Sequence, residues 1–256
     1  MRTLTVLTIF LVGLYSSAQE TTPTGSSSPQ ASTTTPIDDL KALRVKAESG
    51  DAAAQFQLGL AYDEGRGIAQ DSVQALGWYR KSAEQGNADG QFRLGYCYEN
   101  GIGAATNAME AVKWFQKSAD QGNANGQDHL GYCYENGIGV ATNATEAVKW
   151  YGKAAEQDNL YALSSLAWLL ATSKDSKLRD GPSALTFSEK AAALSNRQDS
   201  DVLDTLAAAY AETGRFAEAV SAEKEALSIV KDEKSKEEFA SRLKLYQSNT
   251  PYRQSR

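Results

Sequence analysis

Residues 86–121 read GNADGQFRLGYCYENGIGAATNAMEAVKWFQKSADQ, and residues 122–157 repeat this stretch with 27 of 36 positions identical. Residues 50–85 form a third, more divergent copy at the same spacing. Repetition at a fixed period of this length is typical of solenoid proteins, in which each copy buries its apolar face against its neighbours. The sequence therefore predicts a stack of repeated structural units.

Each copy predicts a pair of helices. Leu94 and Tyr98 are four residues apart, which places both on one stripe of a helix. Gly95 within this helix costs roughly 1 kcal/mol relative to alanine, so its recurrence indicates a neighbouring helix pressed close to the backbone. The Gly-Ile-Gly triplet at 101–103 ends the first helix, and the Asn-x-x-Glu pattern at 107–110 begins the second.

The flanking sequence continues the helical pattern without the period-two alternation that strands require. We expect helices at 38–49, 160–172, 182–194, 201–213, 216–230 and 234–247. The predicted fold is an all-α, right-handed superhelical solenoid of stacked helix hairpins over residues 37–248. Its parts are a repeat region with an N-terminal capping helix at 37–157, two further hairpins at 158–232, and a C-terminal capping helix and tail at 233–256.

The repeated copies resemble the Sel-1-like repeat, through the A-x-x-Q-x-x-L-G-x-x-Y-x-x-G-x-G run and the later E-A-V-K-W-[FY] run. Residues 203–227 are similar to a tetratricopeptide repeat, with Glu223 where that family usually has a bulky apolar residue, and residues 163–191 match it more loosely. The resemblance implies a scaffold or adaptor whose concave face binds other proteins, since most members of both families are not enzymes.

Residues 1–18 read as a signal peptide. Arg2 supplies a positive start, residues 4–15 are mostly apolar, and small residues precede a cleavage site after Ala18. The apolar run is shorter than the roughly 20 residues that span a bilayer, and retention as an uncleaved anchor is the alternative. Residues 19–36 are rich in Ser, Thr and Pro and predict a disordered tether. We therefore expect an exported protein, periplasmic or secreted, without stable membrane insertion after signal cleavage.

Composition argues against several function classes. The formal net charge of −6 gives no attraction to phosphate backbones, so a nucleic-acid partner is not expected. His129 is the only histidine, which leaves no basis for a histidine-based metal site or catalytic triad, and we interpret it as a surface residue. Ser221 and Lys224 match S-x-x-K, but no S-D-N or K-T-G element accompanies them. No cofactor, metal or catalytic residue is predicted.

Cys97 and Cys133 occupy the same position in successive copies. Equivalent helices in a stack lie roughly 8–10 Å apart, whereas a disulfide needs Cα atoms closer than about 7 Å. We therefore predict that both are buried free thiols.

The candidate binding surface follows from the tetratricopeptide analogy, in which the first helix of each hairpin lines the concave side. The positions three before, one after, and four and five after its glycine then point inward. They are Phe56, Leu60, Asp63 and Glu64; Phe92, Tyr96, Glu99 and Asn100; and Asp128, Tyr132, Glu135 and Asn136. The aromatic members are equally interpretable as core between repeats. The carboxylates are harder to place in a core, because burying them unpaired is costly.

Two functions from different classes remain. The favoured hypothesis is a scaffold or adaptor that binds a protein or peptide of the cell envelope on this concave face and has no enzymatic activity. The alternative is a cell-wall or β-lactam amide hydrolase, a reaction described for some exported, cysteine-rich relatives of the Sel-1-like family. A purely structural role in an envelope assembly is a third possibility.

Overall fold

The computed structural model describes residues 36–254, with side chains from residue 39 onwards. All regular structure in this range is helical. The helices are α1 (Pro36–Glu48), α2 (Ala52–Glu64), α3 (Ser72–Glu84), α4 (Ala88–Asn100), α5 (Ala108–Asp120), α6 (Ala124–Asn136), α7 (Ala144–Ala155), α8 (Leu160–Thr172), α9 (Gly181–Leu194), α10 (Ser200–Glu212), α11 (Phe216–Ile229) and α12 (Glu233–Gln247). The predicted signal peptide and tether lie outside the described residues, except that α1 begins at Pro36.

The repeated motif sets the ends of the helices. Asn87 accepts a hydrogen bond from the backbone of Gly90 at the start of α4, and Gly101 ends that helix with φ of 72°. Glycine adopts this left-handed conformation readily because it has no Cβ to clash with the backbone. Asn107 caps the start of α5 by accepting from the backbone N–H of Glu110. The sister units repeat both arrangements, as the sequence predicts.

The helices pack in chain order as antiparallel hairpins. Hairpin 1 is α2–α3, hairpin 2 is α4–α5, hairpin 3 is α6–α7, hairpin 4 is α8–α9 and hairpin 5 is α10–α11; α1 covers the first and α12 the last. The first helices of successive hairpins also meet directly, α4 with α6 and α8 with α10. The first helices therefore line the inner side of the stack. The all-α solenoid of stacked hairpins is confirmed, and its handedness stays a prediction.

A close contact explains the glycine within each first helix. A Cβ at Gly95 would lie 2.8 Å from the ring of Phe115, and one at Gly59 would lie 2.6 Å from the ring of Tyr79. In hairpin 5 the same position is Ala207, and the facing residue is Glu223 instead of a ring. The glycine thus recurs where an aromatic side chain crosses the helix, which confirms the packing reason inferred from the sequence.

Buried glutamines join one unit to the next. The amide of Gln91 donates to the backbone oxygen of Ala83 in the preceding unit, and its own oxygen accepts from Gln121 at 2.6 Å. Gln127 repeats this arrangement one unit later, with Ala119. Each buried amide therefore has its hydrogen bonds satisfied, which a polar group in an apolar interface requires. These contacts fix the spacing of the stack.

Candidate binding groove

The predicted inward positions recur through all five hairpins. We number them from the glycine slot, which is residue 59, 95, 131, 167 or 207. Position −3 holds Phe56, Phe92, Asp128, Ser164 and Asp204; position +1 holds Leu60, Tyr96, Tyr132, Trp168 and Ala208; position +4 holds Asp63, Glu99, Glu135, Ala171 and Ala211; position +5 holds Glu64, Asn100, Asn136, Thr172 and Glu212. Hairpins 1–3 form the open half of the groove, and hairpins 4 and 5 form the filled half.

The chain's own C-terminal segment, residues 233–254, occupies the filled half. The ring of Tyr252 packs on Trp168 with centroids 5.6 Å apart, and the backbone N–H of Gln254 donates to the carbonyl of Thr172 at 2.9 Å. Arg253 forms an ion pair with Glu212 at 2.6 Å. Inward positions of hairpins 4 and 5 thus hold an aromatic ring, a guanidinium group and backbone of one polypeptide segment.

Arg242 of α12 is a buried charged contact of this segment. Its Nε donates to Asp204 at 2.6 Å, and its guanidinium group lies 5.4 Å from the Trp168 ring centroid. Burial, together with the nearby charge of Asp204, raises the pKa of Glu223 well above its ordinary value and favours the neutral form of this carboxyl group. Glu223 is fully buried. The sequence indicated only that hairpin 5 packs less securely at this residue.

Sequence reasoning did not identify this half of the groove. Trp168, Asp204 and Glu212 occupy the same inward positions as the predicted residues. The Leu-Gly pattern of the repeat becomes Leu166-Ala167 and Leu206-Ala207, and extending the register through these alanines would have found them. The C-terminal segment does not recur in the sequence, so the repeat pattern cannot predict where it packs.

In the open half, the aromatic side chains divide between core and groove. Phe56 packs on Tyr79 with ring centroids 6.1 Å apart, and Phe92 packs on Phe115 at 6.0 Å. The rings at position −3 therefore contribute to the core of their own hairpin. Leu60, Tyr96 and Tyr132 at position +1 are only half-buried and border the groove.

Whether the carboxylate at position +4 accepts a hydrogen bond depends on the aromatic residue that faces it from the second helix. Asp63 accepts a hydrogen bond from the Tyr79 hydroxyl at 3.1 Å, and Glu135 accepts one from Tyr151 at 2.9 Å. In hairpin 2 the facing residue is Phe115, which has no hydroxyl. The Oε1 atom of Glu99 is consequently buried without a hydrogen-bond partner, and burial raises the pKa of Glu99 to about 7.

Asp128 is a buried acid where the two sister units have phenylalanine. Its residue is 9% exposed, and burial, followed by the charges of Glu135 and Glu99, raises its pKa to about 7. We interpreted His129 from the sequence as a surface residue, and the structure leaves it half-buried, with its ring 4.9 Å from Phe92 and 5.2 Å from Phe115. Burial lowers the pKa of His129 to about 4, so the ring is neutral.

The amides and the exposed acid at position +5 have local partners. Asn100 donates to the carbonyl of Tyr96 at 3.0 Å, and Asn136 donates to that of Tyr132 at 3.0 Å. Each amide thus satisfies a carbonyl at the end of its own helix. Glu64 is exposed and pairs with Arg66.

A cleft of about 730 Å³ joins the two halves of the groove. Tyr132 and Glu135 line it from the open half, and Trp168, Arg242 and Tyr252 line it from the filled half. The cleft has aromatic rings, carboxylates and one guanidinium group at its walls. It is large enough for side chains of a bound segment to enter next to the C-terminal segment.

The serine, lysine and cysteine residues considered for other chemistry are not among the inward positions of the groove. Ser221 and Lys224 are both exposed on α11. Cys97 and Cys133 are free and buried, as predicted, and burial raises the pKa of both thiols, that of Cys97 to about 12. Within residues 36–254, no group of three or more His, Cys, Asp or Glu side chains is arranged to hold a metal ion, and no helix is long and apolar enough to cross a membrane.

Comparison with known proteins identifies the repeat. The Sel1 repeat model matches residues 52–87, 88–123, 124–159 and 160–196, one unit beyond the three copies that the sequence resemblance covered. A protective antigen present in uropathogenic Escherichia coli strains is 32% identical over 75% of this chain and 41% of its own, with a TM-score of 0.65. A Sel1 repeat protein from Oxalobacter formigenes is 31% identical over 75% of this chain and 79% of its own, with a TM-score of 0.62.

No curated protein matches the chain. The chain spans less than half of the Escherichia coli antigen, so that protein's properties as a whole do not transfer to it. The matched repeats cover more than half of the present sequence and coincide with hairpins 1–4. The chain therefore belongs to the Sel1 repeat family, whose solenoid is typical of protein-binding scaffolds.

Proposed function

We propose that the chain is an exported scaffold or adaptor that binds a protein or peptide of the cell envelope in the open half of its groove. The observation that carries this proposal is the C-terminal segment in the filled half. There, positions −3, +1 and +5 hold a helix and an extended tail through Asp204, Trp168 and Glu212. The open half presents the same kinds of side chain at the same positions.

Export rests on the signal-like pattern of residues 1–18 and the tether-like composition of residues 19–36. The compartment, periplasmic or secreted, belongs to the proposal. That the partner is a polypeptide is also part of the proposal, and the scaffold role typical of the Sel1 fold supports it.

The test is site-specific photo-crosslinking in the cell that produces the protein. A photoreactive phenylalanine analogue at Tyr96, which borders the groove, should capture a defined protein. The same analogue at Met109, which is 67% exposed on the second helix α5, should not. Equal capture from both positions, or none from Tyr96, would contradict the proposal.

Replacing the two groove tyrosines tests the same surface by mutation. The double variant Tyr96→Ala with Tyr132→Ala should weaken the binding free energy of the captured protein by roughly 2 kcal/mol or more, since truncated aromatic anchors lose buried area. Circular dichroism should show that the stack stays folded. Ser221→Ala is the matched control and should change nothing.

The alternative, an amide hydrolase, has the S-x-x-K spacing of Ser221 and Lys224 as its single supporting observation. Both side chains are exposed on α11, and neither lines the cleft. Turnover of a chromogenic β-lactam that Ser221→Ala abolishes would establish this alternative and overturn the scaffold proposal.

A further inference from the structure

The last turn of helix α8 ends in backbone carbonyl groups that the helix itself cannot pair. The loop that follows α8 donates to the carbonyls of Leu169 and Leu170. The carbonyls of Ala171 and Thr172 accept hydrogen bonds from residues 251–254, which we call the docked tail. Both residues are buried, and a buried carbonyl group needs a donor. This end of α8 is therefore an acceptor site that a polypeptide segment fills.

The docked tail supplies two kinds of donor to this acceptor site. The backbone N–H of Gln254 donates to the carbonyl of Thr172 at 2.9 Å. The guanidinium group of Arg253 donates to the carbonyl of Ala171 at 3.3 Å and forms an ion pair with Glu212 at 2.6 Å. The negative end of the helix dipole further favours a cation there. The acceptor site therefore fits an arginine followed by extended backbone.

An aromatic contact lies directly beside the acceptor site. The ring of Tyr252 packs on Trp168 with centroids 5.6 Å apart, and the guanidinium group of Arg242 lies 5.3 Å from the Tyr252 ring centroid. Aromatic rings at this spacing attract one another and bury a large apolar area. The filled half thus recognises an aromatic residue together with the arginine that follows it.

The docked tail can leave without stranding a buried charge. Glu212 also pairs with Arg179 of the loop between α8 and α9, at 3.1 Å, so it keeps a cation when Arg253 leaves. Trp168 likewise keeps the guanidinium group of Arg242, 5.4 Å from its ring centroid. The side chain of Arg253 is 32% exposed, whereas that of Arg242 is 8% exposed. The docked tail is therefore held less firmly than α12.

The cleft between the two halves of the groove leads directly to the docked tail. Tyr132 and Glu135 of the open half line one side of it, and Tyr252 and Gln254 of the tail line another. A polypeptide that lies along Tyr132 therefore meets the tail at the next hairpin. Its path through the filled half is the path that the tail now occupies.

We propose that the docked tail occupies a binding site for the partner, and that an extended segment of the partner with an aromatic residue followed by arginine displaces it. This proposal rests on the proposed function and adds the chemistry of the partner and the regulation of the site. A tail in the same chain competes at a high effective concentration. Only a segment that reproduces its contacts therefore replaces it.

A labelled peptide with the sequence of the tail tests the site. The probe is fluorescein-Thr-Pro-Tyr-Arg-Gln-amide, which has the sequence of residues 250–254, and its binding is followed by fluorescence anisotropy. Two variant peptides accompany it. One has alanine in place of the tyrosine, and the other has citrulline, a neutral isostere, in place of the arginine.

The receiving protein is the full chain, either unchanged or with Tyr252→Ala and Arg253→Ala together. This double variant removes the two side chains of the tail and leaves every residue of the acceptor site in place. We expect the probe to bind the double variant at least tenfold more tightly than the unchanged chain. Each variant peptide should bind the double variant at least tenfold more weakly than the probe. Arg66→Ala, which removes an exposed arginine from the turn of hairpin 1, is the matched control for charge and should bind the probe as the unchanged chain does.

Glu212→Gln, added to the double variant, locates the bound peptide. The substitution keeps the shape of the side chain and removes the charge that faces the arginine. The preference for the probe over the citrulline peptide should then disappear, while the preference over the alanine peptide should remain. Circular dichroism checks that the stack stays folded, and if it does not, the comparison of the three peptides decides alone.

The proposal would be overturned if the probe did not bind the double variant, or if it bound the double variant and the unchanged chain equally. Equal binding of the three peptides, or a gain with Arg66→Ala as large as that of the double variant, would also overturn it. So would an arginine preference that survives Glu212→Gln, because the peptide would then lie elsewhere.

The proposed function fails separately from this site. If crosslinking from Tyr96 captures a protein but the probe does not bind, the scaffold stands and displacement of the tail is lost. If the probe binds but Tyr96 captures nothing, the peptide site stands and the proposed function is lost.

Discussion

At the scale of single residues, one hydroxyl group decides whether the acid at position +4 of hairpins 1–3 accepts a hydrogen bond from the second helix. Tyr79 and Tyr151 donate to Asp63 and Glu135, whereas Phe115 leaves Glu99 without a donor. Units 2 and 3 thus differ in whether this acid has a hydrogen-bond donor on the second helix. A buried carboxyl group without a hydrogen bond favours its neutral form.

Phe115→Tyr should supply the missing hydrogen bond. The pKa of Glu99 is about 7 in the folded chain, above its ordinary value of 4.5. The folded state therefore holds a proton that the unfolded state releases, and the stability from Glu99 is complete below the ordinary value and is lost as pH rises through about 7. A tyrosine hydroxyl that donates to the carboxylate should recover about 1 to 2 kcal/mol at pH 8.5 and less at pH 5.5.

Urea unfolding at the two pH values measures this difference. Tyr151→Phe is the reverse variant, because it removes the donor from Glu135, and it should destabilise the chain more at pH 8.5 than at pH 5.5. A pH-independent effect of either substitution would mean that the hydroxyl acts through packing and not through the carboxylate.

At the scale of helices, the sequence pattern predicted most of what the structure shows. Helix α8 has the predicted bounds, and α9, α10, α11 and α12 begin one residue earlier than predicted or at the predicted residue. Periodicity and capping residues are local signals, so they fix where a helix begins and ends. The same periodicity places Asp128 and Glu99 at inward positions of their helices.

The position of α12 could not be predicted in this way. It depends on Arg242 meeting Asp204, 38 residues away, and on Tyr252 meeting Trp168. Neither pair recurs in another unit, so no periodicity marks them. The same reason applies to His129, whose ring contacts Phe92 of the preceding unit, where the sister residues are Gln57 and Arg93.

Arg242→Met should release α12 from the stack. Removal of the guanidinium group leaves Asp204 buried without its cation, which costs about 3 to 5 kcal/mol in comparable buried pairs. Glu223→Gln is the matched control, because burial and the charge of Asp204 raise the pKa of Glu223 and favour its neutral form, which glutamine mimics. Glutamine at this position should change stability by less than about 1 kcal/mol.

Amide hydrogen exchange of residues 233–247 and urea unfolding distinguish the two variants. Fast exchange across α12 is expected for Arg242→Met only. Slow exchange in both variants would show that apolar contacts, such as those of Phe239, hold α12 in place without the ion pair.

At the scale of the whole molecule, hairpins 2 and 3 each make the same contacts with the hairpin before them. Gly90 lies against Ser82, and Gly126 lies against Ser118 in the same way one unit later. Gln91 and Gln127 likewise donate to equivalent carbonyls. Stability in such a stack is approximately a sum over units and interfaces, so whole units are exchangeable.

Deletion of residues 88–123 should therefore yield a shorter, folded stack. Gly126 would then face Ser82, and Gln127 would donate to Ala83, in the geometry that Gly90 and Gln91 have now. Circular dichroism should show a helical protein that unfolds cooperatively, with a smaller urea dependence because less surface is exposed on unfolding. Deletion of residues 88–105, which is half a unit, is the control and should abolish cooperative unfolding.

The extended tail has a practical consequence for anyone who attaches something to this protein. Because Tyr252 and Gln254 line the cleft, a tag or a fluorophore attached at either residue would report on, and interfere with, whatever enters the cleft. We expect immobilisation through an exposed residue of a second helix, such as Met109 replaced by cysteine, to leave the surface accessible.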